Sequence, residues 1–132
     1  MNALFQNTGA PVVFDTLHHQ INNPGRLTLG TALALALATW APDARPKIHF
    51  STQRTEAHLV AARGGYARQV IAPRHGQHAD FINPFEFASL LAEAPGLPPF
   101  DVMLEAKAAD LALLRLREDL SRFAPDIAAI VY

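Results

Sequence analysis

Three short apolar runs in this chain each end in residues able to hold a metal ion, and that repetition restricts the fold more than any bulk property. Val12-Val13-Phe14 runs into Asp15, His18 and His19, Lys47-Ile48-His49-Phe50 carries an imidazole, and Val102-Met103-Leu104 leads into Glu105 and Lys107. An apolar run that stops in polar groups reads as a buried strand presenting chemistry at its C-terminal tip. That is where α/β-barrel enzymes keep their catalytic residues. A metal-dependent enzyme is the leading expectation.

The segments between these runs read as helices and loops. Gly9-Ala10-Pro11 turns into a strand over Pro11–Phe14, and Asn22–Gly25 breaks the chain again. Thr28 begins a helix through about Thr39; its Leu-Ala alternation has the period of a strand, but both residues favour helix and the run is long. Pro42–Pro46 is a loop before the strand Lys47–Phe50. Ser51–Asp80 lacks periodicity, holds Gly64, Gly65, Pro73 and Gly76, and is rich in arginine. A loop of that length is usually functional or disordered. Asn83-Pro84 starts a helix, with Pro84 at its first position and Glu86 in its first turn, running to about Ala94. Pro95–Pro99 breaks it, and Asp101–Leu104 forms the third strand. A last helix, about Ala108–Phe123, is expected to place Leu111, Leu114 and Leu120 on one face, and Pro125 ends it. The apolar tail Ile127–Tyr132 has no assigned place.

The order β-α-β-α-β-α predicts an α/β fold of parallel strands joined by right-handed crossovers. A closed barrel of such units takes about eight of them and ~250 residues. This chain has 132 residues and three β/α units. A three-stranded parallel sheet also leaves two edges open. Residues 1–132 therefore read as a single partial domain, part of something larger.

Composition narrows the chemistry. Half of the residues are hydrophobic, 17% are charged and the formal net charge is −1, so any contact with nucleic acid must be local. The absence of cysteine removes disulfides, thiolate metal sites and cysteine nucleophiles together. A metal must then sit on His, Asp, Glu or an unusual ligand. The start of the chain lacks the pattern of a signal peptide, and the longest apolar run, Ala32–Trp40, is too short to span a bilayer. The expected location is cytoplasmic, with no membrane contact.

Each candidate residue has a plainer reading beside the chemical one. Asp15 and His18 could bind metal, or Asp15 could cap a helix or turn. Lys47 and His49 point to one face of their strand. A lysine there could lose its proton and take up carbon dioxide as a carbamate, or simply reach solvent with its stem packed. Arg74-His75-Gly76-Gln77-His78-Ala79-Asp80 gathers two imidazoles and an acid in a short loop. Glu105 could be a ligand or pair with Lys107 or Arg54. His19 and His58 read as structural or as supports behind the metal ligands. Taken together, Asp15, His18, His49, His78 and Glu105 form an oxygen- and nitrogen-rich set from successive strand tips.

At this point Val12–His19, Asn23–Leu27, Arg45–Ser51, Gly76–Asp80 and Asp101–Lys107 together resemble the ultraviolet damage endonuclease family, in its order and across most of the chain. The resemblance implies the C-terminal portion of a TIM-like barrel, similar to that of the apurinic endonuclease with a trinuclear metal site. It implies hydrolytic incision of DNA on the 5′ side of ultraviolet photoproducts, with Mn²⁺ or else Zn²⁺ or Mg²⁺. Carried over by motif, Asp15, His49 and Glu105 would hold one metal, and His18 and His78 another. Lys47 would be the carboxylated lysine, and Lys47 and Glu105 would serve catalysis as well as metal. Arg26, Ser51, Gln53, Arg54 and Arg74 are expected to touch DNA phosphates.

The resemblance implies that the N-terminal part of the barrel, with further ligands and the lesion-probing residues, lies outside these residues, and no wedge for flipping a base is visible. The chain is therefore expected to be a truncated or split portion with weak or no activity alone. Damaged double-stranded DNA is the expected partner, together with an N-terminal half encoded separately. A non-catalytic metal- or DNA-binding remnant is the main alternative. A barrel-type sugar isomerase is a weaker one.

Overall fold

The computed structural model describes residues 8–62, 64–65 and 67–131. The leader-free reading of the first seven residues, Arg63 of the long loop and Tyr132 of the tail lie outside them.

The chain forms β1 (Phe14–Asp15), α1 (Thr16–Ile21), α2 (Leu29–Leu37), β2 (Lys47–Phe50), β3 (His58–Val60), β4 (Gln69–Ile71), α3 (Pro84–Ala92), β5 (Asp101–Leu104), α4 (Asp110–Phe123) and α5 (Pro125–Ala128). Three strands make a parallel sheet in the order β1-β2-β5, with Asp15 opposite His49 and His49 opposite Met103. The expected α/β class with parallel strands is what the chain adopts. Two differences concern the first strand. It ends on Asp15 rather than Phe14, and the polar stretch after it is the helical turn α1.

Alternation along the strands divides the sheet into two faces. Phe14, Ile48 and Phe50 are buried against Leu33, Ala36 and Leu37 of α2, Phe87, Leu90 and Leu91 of α3, and Leu116 and Leu120 of α4. The rings of Phe50 and Phe87 meet edge-on with centroids 5.2 Å apart. The opposite face carries Asp15, Lys47, His49 and Met103 and lies open, Met103 being 50% exposed. Burying one leucine or phenylalanine stabilises by roughly 1.5–3 kcal/mol, so the helix-covered face supplies the fold's main support.

Caps and side-chain ties fix the elements. Thr28 accepts from the Thr31 N–H at 3.2 Å to start α2. Asn83 accepts from Phe85 and Glu86 at 2.9 and 3.3 Å, ahead of Pro84, to start α3. At the end of α2, the Thr39 hydroxyl donates to the Ala36 carbonyl at 2.6 Å and accepts from the Val12 N–H at 2.8 Å. The Trp40 indole donates to the Val12 carbonyl at 2.9 Å. Both backbone groups of Val12 are thus held from α2, and this positions the two-residue strand that follows.

Three expectations change. The long segment after β2 contains an antiparallel hairpin, β3–β4, around Gly64 and Gly65, both at positive φ. On α4 the buried residues are Ala112, Leu116 and Leu120, at steps of four, while Leu111 and Leu114 are 63% and 60% exposed. The apolar tail begins in the short helix α5, and Ile127, Ala128 and Val131 pack on the core. No helix among the described residues is long and apolar enough to cross a membrane.

Candidate metal centre

The site assembles at the C-terminal ends of the parallel strands. Register sets Asp15 beside His49. The Glu105 N–H donates to the Phe50 carbonyl at 2.9 Å, which extends the β2–β5 pairing one residue past the strand. Ligand atoms of Asp15, His49 and Glu105 then lie within 4.8 Å of one another. His49 Nδ1 is 3.0 Å from Glu105 Oε1, and His78 Nε2 is 3.8 Å from Glu105 Oε2. Glu105 therefore stands between two imidazoles. These side chains are about one-third exposed, so solvent and a substrate can reach them.

Asp15 has two functions in the structure. One oxygen caps α1 by accepting from the His18 N–H at 2.9 Å, and the other lies 3.2 Å from His18 Nδ1. The capping role and the ligand geometry coexist in one carboxylate. His18 is largely exposed beside it. Lys47 shares the face of His49 but sits at the other end of β2, roughly 7 Å back along the strand, and is exposed.

His78 reaches the cluster because its loop is stapled on both sides. Arg54 N–H donates to the Gln77 carbonyl at 2.7 Å and Ala79 N–H to the Thr52 carbonyl at 2.8 Å, while Lys107 and Ala108 donate to Ala79 and Asp80 at 3.0 Å. The Arg54 side chain is buried, bonding the His78 carbonyl through Nε at 3.3 Å and the Asp80 carboxylate through its terminal nitrogen. Gln53 donates to the carbonyls of Arg54 and Arg74 and accepts from the Gly76 N–H at 2.7 Å. Sequence reasoning placed Asp80 with the imidazoles; the structure turns it toward Arg54. An arginine at the start of a long loop gives no local signal that its partner lies 26 residues away.

Of the residues expected on DNA phosphates, Ser51 and Arg54 are buried, at 2% and 7% exposure, and Gln53 is engaged within the loop. Arg26 and Arg74 are exposed, Arg26 at a φ of 50°. His19 packs on Phe14 with centroids 5.4 Å apart, in keeping with a structural part. Glu56, at the foot of the hairpin, has its carboxyl held below the usual range, chiefly by the Thr55 hydroxyl bonded to it.

Two carboxylates and an imidazole converging at this distance suit a divalent ion of the Mn²⁺, Zn²⁺ or Mg²⁺ type, and the donor set fits such an ion. The buried Ser51 hydroxyl, two residues past His49, has no hydrogen-bond partner, so this rim of the site retains an unsatisfied polar atom.

A UV DNA damage endonuclease of Bacillus cereus is 32% identical over 122 residues, covering 90% of this chain and 33% of the relative. One from Bacillus pumilus is 33% identical over 115 residues, covering 86% of this chain and 31% of the relative. The crystal structure of SacUVDE matches with a TM-score of 0.63 and 32% identity, over 90% of this chain and 34% of that one. The chain spans about one-third of the length of the curated relatives it matches. The profile of the family described as UV-endonuclease UvdE matches residues 2–131, and the chain belongs to that family.

Proposed function

We propose that this chain forms the metal-holding part of an endonuclease that incises DNA on the 5′ side of ultraviolet photoproducts. The observation that best supports this is the meeting of Asp15, His49 and Glu105 at one edge of a parallel sheet, in a chain of this family. The three β/α units are read as the C-terminal portion of a TIM-like barrel, with the open sheet face as its interior. The family match sets aside the sugar isomerase.

Asp15, His49 and Glu105 would hold one ion and His18 and His78 a second, with Lys47, as a carbamate, contributing a further carboxylate. Divalent ions there, Mn²⁺ first among them, supply charge neutralisation at the scissile phosphate, a more acidic bound water and stabilisation of the leaving oxygen. Glu105 orients both imidazoles, and the α1 cap fixes the Asp15 carboxylate. Arg26 and Arg74 offer exposed guanidinium groups to phosphates, with Gln53 shaping the loop between them and the site.

The remainder of the barrel would be a separately encoded N-terminal chain, and damaged duplex DNA in the cytoplasm the substrate. Alone, the chain is expected to cut weakly or not at all. A non-catalytic metal- or DNA-binding remnant is the second reading. The test is incision of irradiated and undamaged duplex with Mn²⁺, with and without the N-terminal two-thirds of the Bacillus cereus relative. Cutting 5′ to lesions in the mixture supports the endonuclease. Equal cutting of both duplexes removes lesion specificity, and Mn²⁺ binding without incision leaves the remnant.

A further inference from the structure

We infer that the β3–β4 hairpin is a DNA-docking element, set against the duplex beside the metal cluster with Arg68 and Arg74 on phosphates and the Leu59–Val70 pair against the bases. This rests on the reading that the chain acts on DNA and adds the surface that seats it. Leu59 and Val70 are directly opposite in register, so their side chains leave one face of the ribbon together, 65% and 72% exposed. A two-stranded ribbon is marginal by itself, and docking of its exposed apolar cross-strand pair on a partner would steady it.

Charge identifies the partner. From Ala57 to Ala79 there is no Asp or Glu, in a chain whose net charge is −1. The same stretch carries Arg68 and Arg74, both exposed, and His58, His75 and His78. A ribbon with an exposed apolar pair and two exposed arginines, its acids confined to Glu56 at the foot and the Arg54-paired Asp80, matches a polyanion with flat apolar groups inside it, which is duplex DNA.

Position supports the same occupant. The hairpin leaves from the Arg54 side of the cluster and returns to it at His78, seven residues after β4 ends at Ile71. Gln53 clasps the returning strand through the Arg74 carbonyl and the Gly76 N–H, and pairs with His78 in a bridge. The ribbon is thereby tied to the rim of the cluster. Proteins that kink DNA insert apolar side chains between base steps, and a damaged step resists least. The wedge missing from the sequence reading has a candidate in this pair.

The test is fluorescence anisotropy of the full chain with labelled duplexes, irradiated and undamaged, between about 50 and about 200 mM salt. Leu59→Ser/Val70→Ser is expected to weaken binding of irradiated duplex about tenfold and remove its preference, with the salt slope kept. Arg68→Ala/Arg74→Ala is expected to weaken both duplexes alike and to lower the slope by about 1.8, at ~0.9 per phosphate contact. All four positions are exposed, and unchanged melting temperatures confirm intact folding. Wild-type binding by both variants overturns the hairpin but leaves the DNA reading standing. No binding of either duplex by the wild-type chain overturns both. Unchanged DNA binding with lost association to an N-terminal partner makes the hairpin a polypeptide interface instead, which also overturns it.

Discussion

Glu105 and Arg54 place opposite demands on their surroundings. Glu105 stands between His49 and His78 and is open to solvent, so removing its charge leaves the fold intact and empties the centre of the cluster. Glu105→Gln and His49→Ala are each expected to weaken Mn²⁺ binding at least about tenfold with little change in stability, as read by calorimetric titration and by thermal melting. Arg54 is buried, and Arg54→Met would leave the His78 carbonyl and the Asp80 carboxylate without their donor. Because Asp80 is half exposed, the full penalty of a broken buried pair does not apply; a loss of about 1–2 kcal/mol in urea unfolding is expected. The clustering of Asp15, His49 and Glu105 was legible because oxygen and nitrogen donors followed apolar runs. Arg54 was not, because an arginine in a loop reads as a phosphate contact until its burial is known.

The elements divide by how much of their length repeats a period. α2, α3, β2 and β5 were readable from caps, prolines and apolar runs, and Asn83 and Thr28 start their helices as the sequence indicates. Asn83→Ala is expected to cost about 1 kcal/mol, measured by denaturant unfolding. The six residues of α1 are too few to display helical spacing, and the three-residue strands of the hairpin are too short to alternate visibly. On α4 the leucines outnumber the positions that can be buried, so the sequence offers two faces. Packing beside α3 and α5 accompanies the burial of Ala112, Leu116 and Leu120. Leu120→Ala should therefore cost about 2–5 kcal/mol and Leu114→Ala well under 1, a contrast that equilibrium unfolding measures directly.

At the scale of the molecule, a parallel sheet that has three strands, one covered face and two open edges among the described residues is a structure that a further polypeptide can complete. Adding the N-terminal two-thirds of a relative as a separate chain is expected to raise the melting temperature in proportion to the logarithm of its concentration once binding saturates, and an unchanged melting temperature would reject completion in trans. The bond from the Trp40 indole to the Val12 carbonyl supplies an optical probe for such work, since Trp40 is the sole tryptophan in the chain. Its emission reports whether the first strand is seated: a red shift on heating or in mild urea, ahead of the loss of helical circular dichroism, would time the departure of Asp15 separately from global melting.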